Sequence, residues 1–232
     1  QQRTRKEALS TMFQRKSRSS SSSGISKPAP APVDTRWYLE QFTTYADDDG
    51  SIGPEGVEKL CGALEVDPAD VLVLVLAWQL GAAQMGYFSR EEWSAGASSL
   101  GEGVQSEKEL KERLRDVYTR TRRSKDQLRD LHRYTHKFCR EERKKNIDRD
   151  SALAMLELLH GQAFPKHVPK LIEFIKVNET CGKRGISFDE WSMILNFCTE
   201  ISADCSNYQD DGAWPLLLDE FVEYVRGPEE QQ

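Results

Sequence analysis

The chain has no apolar run approaching the roughly 20 residues that a membrane-spanning helix needs. The longest of its 232 residues' apolar stretches runs from Val71 to Trp78 and reads as core. No secretory signal pattern stands near its start, and neither a lipidation signal nor a membrane partner is expected. None of the five cysteines, Cys61, Cys139, Cys181, Cys198 and Cys205, lies in a C-x-x-C pair. That spacing suggests neither a zinc site nor a disulfide framework, and free thiols in a reducing compartment are expected. There is no G-x-S-x-G turn and no glycine-rich phosphate loop, so nothing supports an enzyme or a resident cofactor. His132 and His136 have the i, i+4 spacing of helical zinc ligands, but Arg133 stands where a metalloprotease carries glutamate. They are expected to be an ordinary surface pair. No alternating Val/Ile/Thr segment supports a sheet.

The charge that is present is unevenly placed. The net charge is −6, yet basic residues outnumber acidic ones between Glu107 and Lys145. From Ile186 to Arg226, Asp189, Glu190, Glu200, Asp204, Asp210, Asp211, Asp219, Glu220 and Glu223 face only Arg226. An acidic C-terminal third expects a basic partner there and repels nucleic acid. A solvated acidic face without a partner explains the same pattern.

Residues 1–33 form a basic, Ser- and Pro-rich tail, from Arg15-Lys16-Ser17-Arg18 through the serine run to Lys27-Pro28-Ala29-Pro30. Such a segment buries too little apolar surface to offset its ordering entropy, and disorder is expected. Its basic cluster serves equally as an import signal or a phosphorylatable spacer. Beyond it the sequence predicts one all-α domain over residues 34–228. Asp67-Pro68 predicts a helix start, with the proline at the first helical position. Ser89…Glu92, Ser106…Glu109 and Ser187…Glu190 have capping-box spacing. Leu128, Leu131, Thr135 and Phe138 share a stripe, and further helices are expected near 54–65, 150–160, 166–176 and 215–225.

Asp47-Asp48-Asp49-Gly50-Ser51-Ile52 is similar to the middle of an EF-hand calcium loop. Setting Gly50 at position six puts Tyr45 at position one and Gly56 at position twelve. The starting carboxylate and the bidentate glutamate are then both missing. The segments before Glu92 and Glu190 keep the last ligand but not the earlier ones. EF-hand-like helix-loop-helix units without calcium are the expectation, and a calcium-responsive peptide-binding module is the alternative.

The segment Asp204-Cys205-Ser206-Asn207-Tyr208-Gln209-Asp210-Asp211-Gly212-Ala213-Trp214-Pro215-Leu216-Leu217-Leu218-Asp219-Glu220-Phe221-Val222-Glu223 resembles the signature of the defective-in-cullin-neddylation family. The resemblance extends through Asp189-Glu190-Trp191, Val75-Leu76-Ala77-Trp78 and Met85-Gly86-Tyr87-Phe88, and covers roughly residues 36 to 226. It implies the all-helical potentiating-neddylation domain of a non-catalytic scaffold. The implied partners are a cullin C-terminal winged-helix region and the N-terminally acetylated tail of a neddylation conjugating enzyme, with the RING-box protein reached indirectly. The cullin contact falls on Asp189, Ala213 and Asp219. The tail pocket falls on Ala69, Val73, Leu76, Ala77, Leu80, Phe88, Phe138 and Leu158. Read without the resemblance, Asp189 is an acidic residue favoured by a helix dipole, and the apolar set is core. The tail resembles that of short-armed nuclear members, which implies residence in nucleus and cytoplasm.

Overall fold

The computed structural model describes residues 35–227 apart from Glu102, Glu142 and Asp211. The expected tail and both edges of the expected 34–228 domain lie outside the described residues. Eleven helices occur among them: α1 (Arg36–Tyr45), α2 (Pro54–Leu64), α3 (Val71–Leu80), α4 (Arg90–Leu100), α5 (Glu107–Arg123), α6 (Lys125–Cys139), α7 (Arg149–His160), α8 (Val168–Val177), α9 (Glu179–Arg184), α10 (Phe188–Glu200) and α11 (Leu216–Arg226). No strand is present among these residues, and the fold class is all-α as expected.

The loops between helices are tied in pairs. Ile52, between α1 and α2, exchanges two backbone hydrogen bonds of 2.9 Å with Phe88, between α3 and α4. Ile147, between α6 and α7, does the same with Ile186, between α9 and α10, at 3.0 and 2.9 Å. All four side chains are buried. Each bridge satisfies loop backbone that would otherwise be stranded in the core.

Local chemistry sets the helix starts. Ser89 and Ser187 each complete a reciprocal capping box with Glu92 and Glu190. At α5 the spacing is the same but the pairing differs. Ser106 accepts from the Glu109 N–H at 3.3 Å, whereas the Glu109 carboxylate accepts from Gln105, one residue further back, at 2.7 Å. The expected start at Asp67-Pro68 is also corrected. Asp67 accepts from the Ala69 N–H at 2.7 Å and closes a turn, and Asp70 caps α3 through the Leu72 N–H at 2.8 Å. Two acceptors three residues apart both fit an N-terminus, and the second one wins.

α3 runs through the middle, against α4, α5 and α6, and six of its ten residues are buried. Its approach to α4 is close enough to demand Gly96, where a Cβ would lie 2.5 Å from the Leu80 Cα. α6 contacts α3, α5, α7 and α10. Its two histidines are the main correction to the sequence reading: His132 and His136 are fully buried, not a surface pair. The His132 ring stacks on Trp191 at 4.6 Å and 12°. Its Nε2 lies 2.6 Å from the Trp191 carbonyl, while the Trp191 Nε1–H donates to the His132 carbonyl at 2.7 Å. His136 Nε2 lies 3.0 Å from the Ile186 carbonyl. Because carbonyls only accept, both Nε2 atoms carry the proton, and His132 Nδ1 is left to accept from His160 Nε2 at 3.0 Å. The chain of hydrogen bonds ends at His160, whose Nδ1 is left a buried acceptor with no partner among the described residues.

These rings are held neutral. Burial pushes His132 well below the usual histidine value, His136 below it, and His160 down to about 4. Above pH 6.5 the folded and unfolded chains are both neutral here. Between 6.5 and about 4 the unfolded chain gains protons that the His160 site refuses, so stability falls as pH falls. Each such ring contributes up to about 1.4 kcal/mol per pH unit. Urea unfolding at pH 7 and pH 5 should therefore show a clear loss at the lower pH, and a smaller loss in His160→Leu. Equal stability at both values in the unaltered chain would refute the neutral-core reading.

Candidate functional site

Two features stand out, and they lie on different helices. The first is an apolar cavity of about 390 Å³ beside α3. Val73 and Ala77 supply its α3 side and Ala69 the turn before it, Phe88 its loop side, and Phe138 and Leu158 project from α6 and α7. Six of the eight residues set out for the tail pocket therefore meet around one space. Leu76 and Leu80 do not line it. Leu76 is turned about 60° round the helix from Val73 and is buried in the core. Leu80 stands about 10 Å beyond Val73 along the axis, packed beneath Gly96.

Sequence reasoning omitted Pro54, Val57, Met85, Cys139 and Met155 from the walls. Met155 carries a readable signal, since it precedes Leu158 by three residues and so shares its face of α7. Met85 has none, because the turn of the α3–α4 loop places it, and it is half exposed at the mouth. Burial, with the nearby Asp148 charge, pushes the Cys139 thiol up to about 12. It lines the cavity as a neutral thiol and not as a nucleophile. The charged residues on the rim are Glu58 and Asp70. Such a space takes an uncharged apolar group the size of one or two side chains, because a bare ammonium would lose its hydration without a paired counter-charge.

The second feature is acidic. Asp189 is the second residue of α10 and is exposed, with neither hydrogen bond nor ion pair among the described residues. Its neighbour Glu190 is spent internally, on Arg184 at 2.5 and 2.8 Å and on the Ser187 N–H at 2.9 Å. Burial alone would raise the Glu190 carboxyl, but the Arg184 and Ser187 bonds outweigh it and hold the group below its ordinary value. Asp219, in the first turn of α11, is half-buried and accepts a short hydrogen bond from the Tyr208 hydroxyl. Tyr208 is itself fixed by Arg226, which lies over its ring at 5.7 Å and donates to the Cys205 and Tyr208 carbonyls at 2.8 and 3.3 Å. Arg226, the lone cation of the acidic third, is therefore committed to backbone. Ala213 is exposed ahead of α11. No hydrogen bond or ion pair joins Asp189 to Asp219 among the described residues; they belong to two helices packed on each other. Nothing in the spacing of Tyr208, Asp219 and Arg226 announces their contact, which the loop before α11 creates.

The first calcium-like loop is closed on itself. Asp49 accepts from the Ser51 N–H and hydroxyl at 2.9 and 2.8 Å, and Asp47 from the Gly53 N–H at 3.1 Å. At Gly56 a Cβ would overlap the Tyr45 carbonyl oxygen.

The model of a family described as cullin binding matches residues 109–224, a span that holds Asp189, Ala213 and Asp219. DCN1-like protein 5 of Homo sapiens is 37% identical over 193 residues, which cover 81% of this chain and 76% of that protein. The chain belongs to the DCN1-like, cullin-binding family. The Mus musculus form of DCN1-like protein 5 is 38% identical over the same shares of each chain. DCN1-like protein 4 of Drosophila melanogaster is 37% identical over 190 residues, covering 82% of this chain and 73% of that protein. Family membership places the acidic feature within the matched span, while much of the cavity, from Pro54 to Phe88, lies ahead of it.

Replacing Tyr208 by Phe removes the donor to Asp219 and should cost about 1 kcal/mol in chemical unfolding. An unchanged unfolding midpoint would show that this hydrogen bond does not hold the loop before α11.

Proposed function

We propose that the protein is a non-catalytic scaffold that promotes neddylation of cullins. It binds the C-terminal winged-helix region of a cullin through Asp189, Ala213 and Asp219. Its apolar cavity takes the N-terminally acetylated tail of the conjugating enzyme that carries the modifier. The RING-box protein is reached only through the cullin, and the protein works in nucleus and cytoplasm. The observation that carries the reading is the joint presence of two unlike features in a cullin-binding chain: an exposed carboxylate on α10 with a half-buried one on α11, and an apolar cavity beside α3.

Each feature suits its proposed ligand. Exposed carboxylates pair with Lys or Arg groups, and a methyl-sized Ala213 lets a partner surface come close. Acetylation removes the charge that an apolar cavity would reject, leaving a terminal apolar side chain to be buried. Holding both partners turns their encounter into a near-intramolecular step, so the rate rises without any catalytic group on the scaffold.

Asp219→Lys should abolish binding to a cullin C-terminal domain while circular dichroism stays that of a folded helical chain, although loss of the Tyr208 hydrogen bond lowers stability by about 1 kcal/mol or more. Retained cullin affinity would remove the acidic residues from the proposal. Separately, an acetylated tail peptide should bind at least about tenfold tighter than its free-amine form, as follows from the cost of burying an ammonium. Equal affinities would remove the cavity assignment.

A further inference from the structure

The carboxylate of Asp219 has a natural competitor inside the chain. Arg226, the lone cation of the acidic third, lies about two turns further along the same face of α11. Helical side chains lean toward the N-terminus, which carries the guanidinium back in the direction of Asp219. Both residues line one pocket of about 500 Å³, together with the exposed acids Asp210 and Glu223. Opposite charges so placed are expected to pair. No ion pair joins Asp219 to Arg226 among the described residues. One buried side chain, Tyr208, engages both instead. Its hydroxyl donates to Asp219 Oδ1. Its ring lies under the Arg226 guanidinium at 5.7 Å, and its carbonyl, with that of Cys205, accepts from Arg226 Nη2 at 3.3 and 2.8 Å.

We propose that Tyr208 is a positioning residue for the cullin contact: its hydroxyl holds the Asp219 carboxylate while its ring and backbone hold Arg226 off it, so that Asp219 keeps its charge for a Lys or Arg group of the partner. The inference rests on the acidic-contact reading given above. A phenol donates a hydrogen bond without carrying charge, so it fixes a carboxylate and leaves it an anion. A guanidinium in the same place would fix it and cancel it. The carboxylate has further lone pairs beyond the one that Tyr208 uses, and these can accept from outside. Phenylalanine at 208 keeps a ring for Arg226 to lie over but releases Asp219, and the freed carboxylate then pairs with Arg226. Binding is lost in that variant by internal neutralisation, with the fold intact.

The test is isothermal titration of a cullin C-terminal domain into the full chain and into Tyr208→Phe, Arg226→Gln, Tyr208→Phe/Arg226→Gln and Asp219→Lys, each checked by circular dichroism at the working temperature. Tyr208→Phe should weaken binding about tenfold. Arg226→Gln alone should change it by less than about threefold, because Tyr208 already keeps the cation off Asp219. In the double variant, removing the cation should bring affinity back to within about threefold of the unaltered chain. A merely structural Tyr208 leads to the reverse, since the double variant loses the hydroxyl and the Arg226 bonds together. Equal affinities of Tyr208→Phe and the unaltered chain would overturn the inference. So would a double variant that binds no better than Tyr208→Phe, or an Arg226→Gln gain that is the same with and without the hydroxyl. Each of these results leaves the acidic contact standing while Asp219→Lys still fails to bind. Undiminished cullin binding by Asp219→Lys would take down the acidic-contact reading and this inference with it.

Discussion

The reciprocal pairing of His132 with Trp191 is the contact on which the rest of the arrangement depends. Each residue's ring nitrogen donates to the other's carbonyl, and the two rings stack face to face. Two hydrogen bonds and a large buried aromatic contact thus fasten α6 to α10 at one point. The pairing works only while the imidazole is neutral with its proton on Nε2, because a cation in this site would be desolvated beside a second buried histidine. It is a polar joint inside an apolar core, and its directionality fixes how the two helices are rotated relative to each other.

That fixed rotation lets one helix serve both proposed binding surfaces. α6 sends Phe138 into the cavity, His132 and His136 into the core, and Arg133 and Lys137 over the ring of Phe188. Phe188 is the residue before Asp189, so the cavity wall and the start of α10 are mounted on one rigid rod. A scaffold that acts by proximity gains from this stiffness, since any play between its two grips would widen the range of relative positions its partners sample. The unlike chemistry of the surfaces also keeps their ligands from exchanging places. Exposed carboxylates offer an apolar tail end nothing to bury against, and an apolar cavity rejects a charged cullin side chain.

Much of this was legible in the sequence. The helices, the reciprocal boxes at Ser89 and Ser187, and the convergence of Ala69, Val73, Ala77, Phe88, Phe138 and Leu158 follow from spacing, capping chemistry and the family resemblance. What escaped was decided by geometry that spacing does not encode. Asp67 and Asp70 are equally good caps on paper, and only the tertiary position of α3 chooses between them. Polarity put His132 and His136 on the surface, whereas the Trp191 and Ile186 carbonyls, near the start of α10, supplied buried acceptors for their N–H groups. Leu76 and Leu80 share the apolar character of Val73 but not its outlook, because α3 is apolar on all sides and its pattern cannot say which flank borders a void. The Tyr208–Asp219–Arg226 cluster is joined through an irregular loop, which no period describes.

Gly56 carries a consequence for redesign of the chain. Its missing side chain is not merely a missing ligand, because the Tyr45 carbonyl occupies the volume where any Cβ would begin. Restoring glutamate at residue 56 would therefore displace the loop backbone before it could offer an oxygen to an ion. A calcium loop cannot be installed here by adding ligands alone, because the substitution costs stability before it supplies an oxygen.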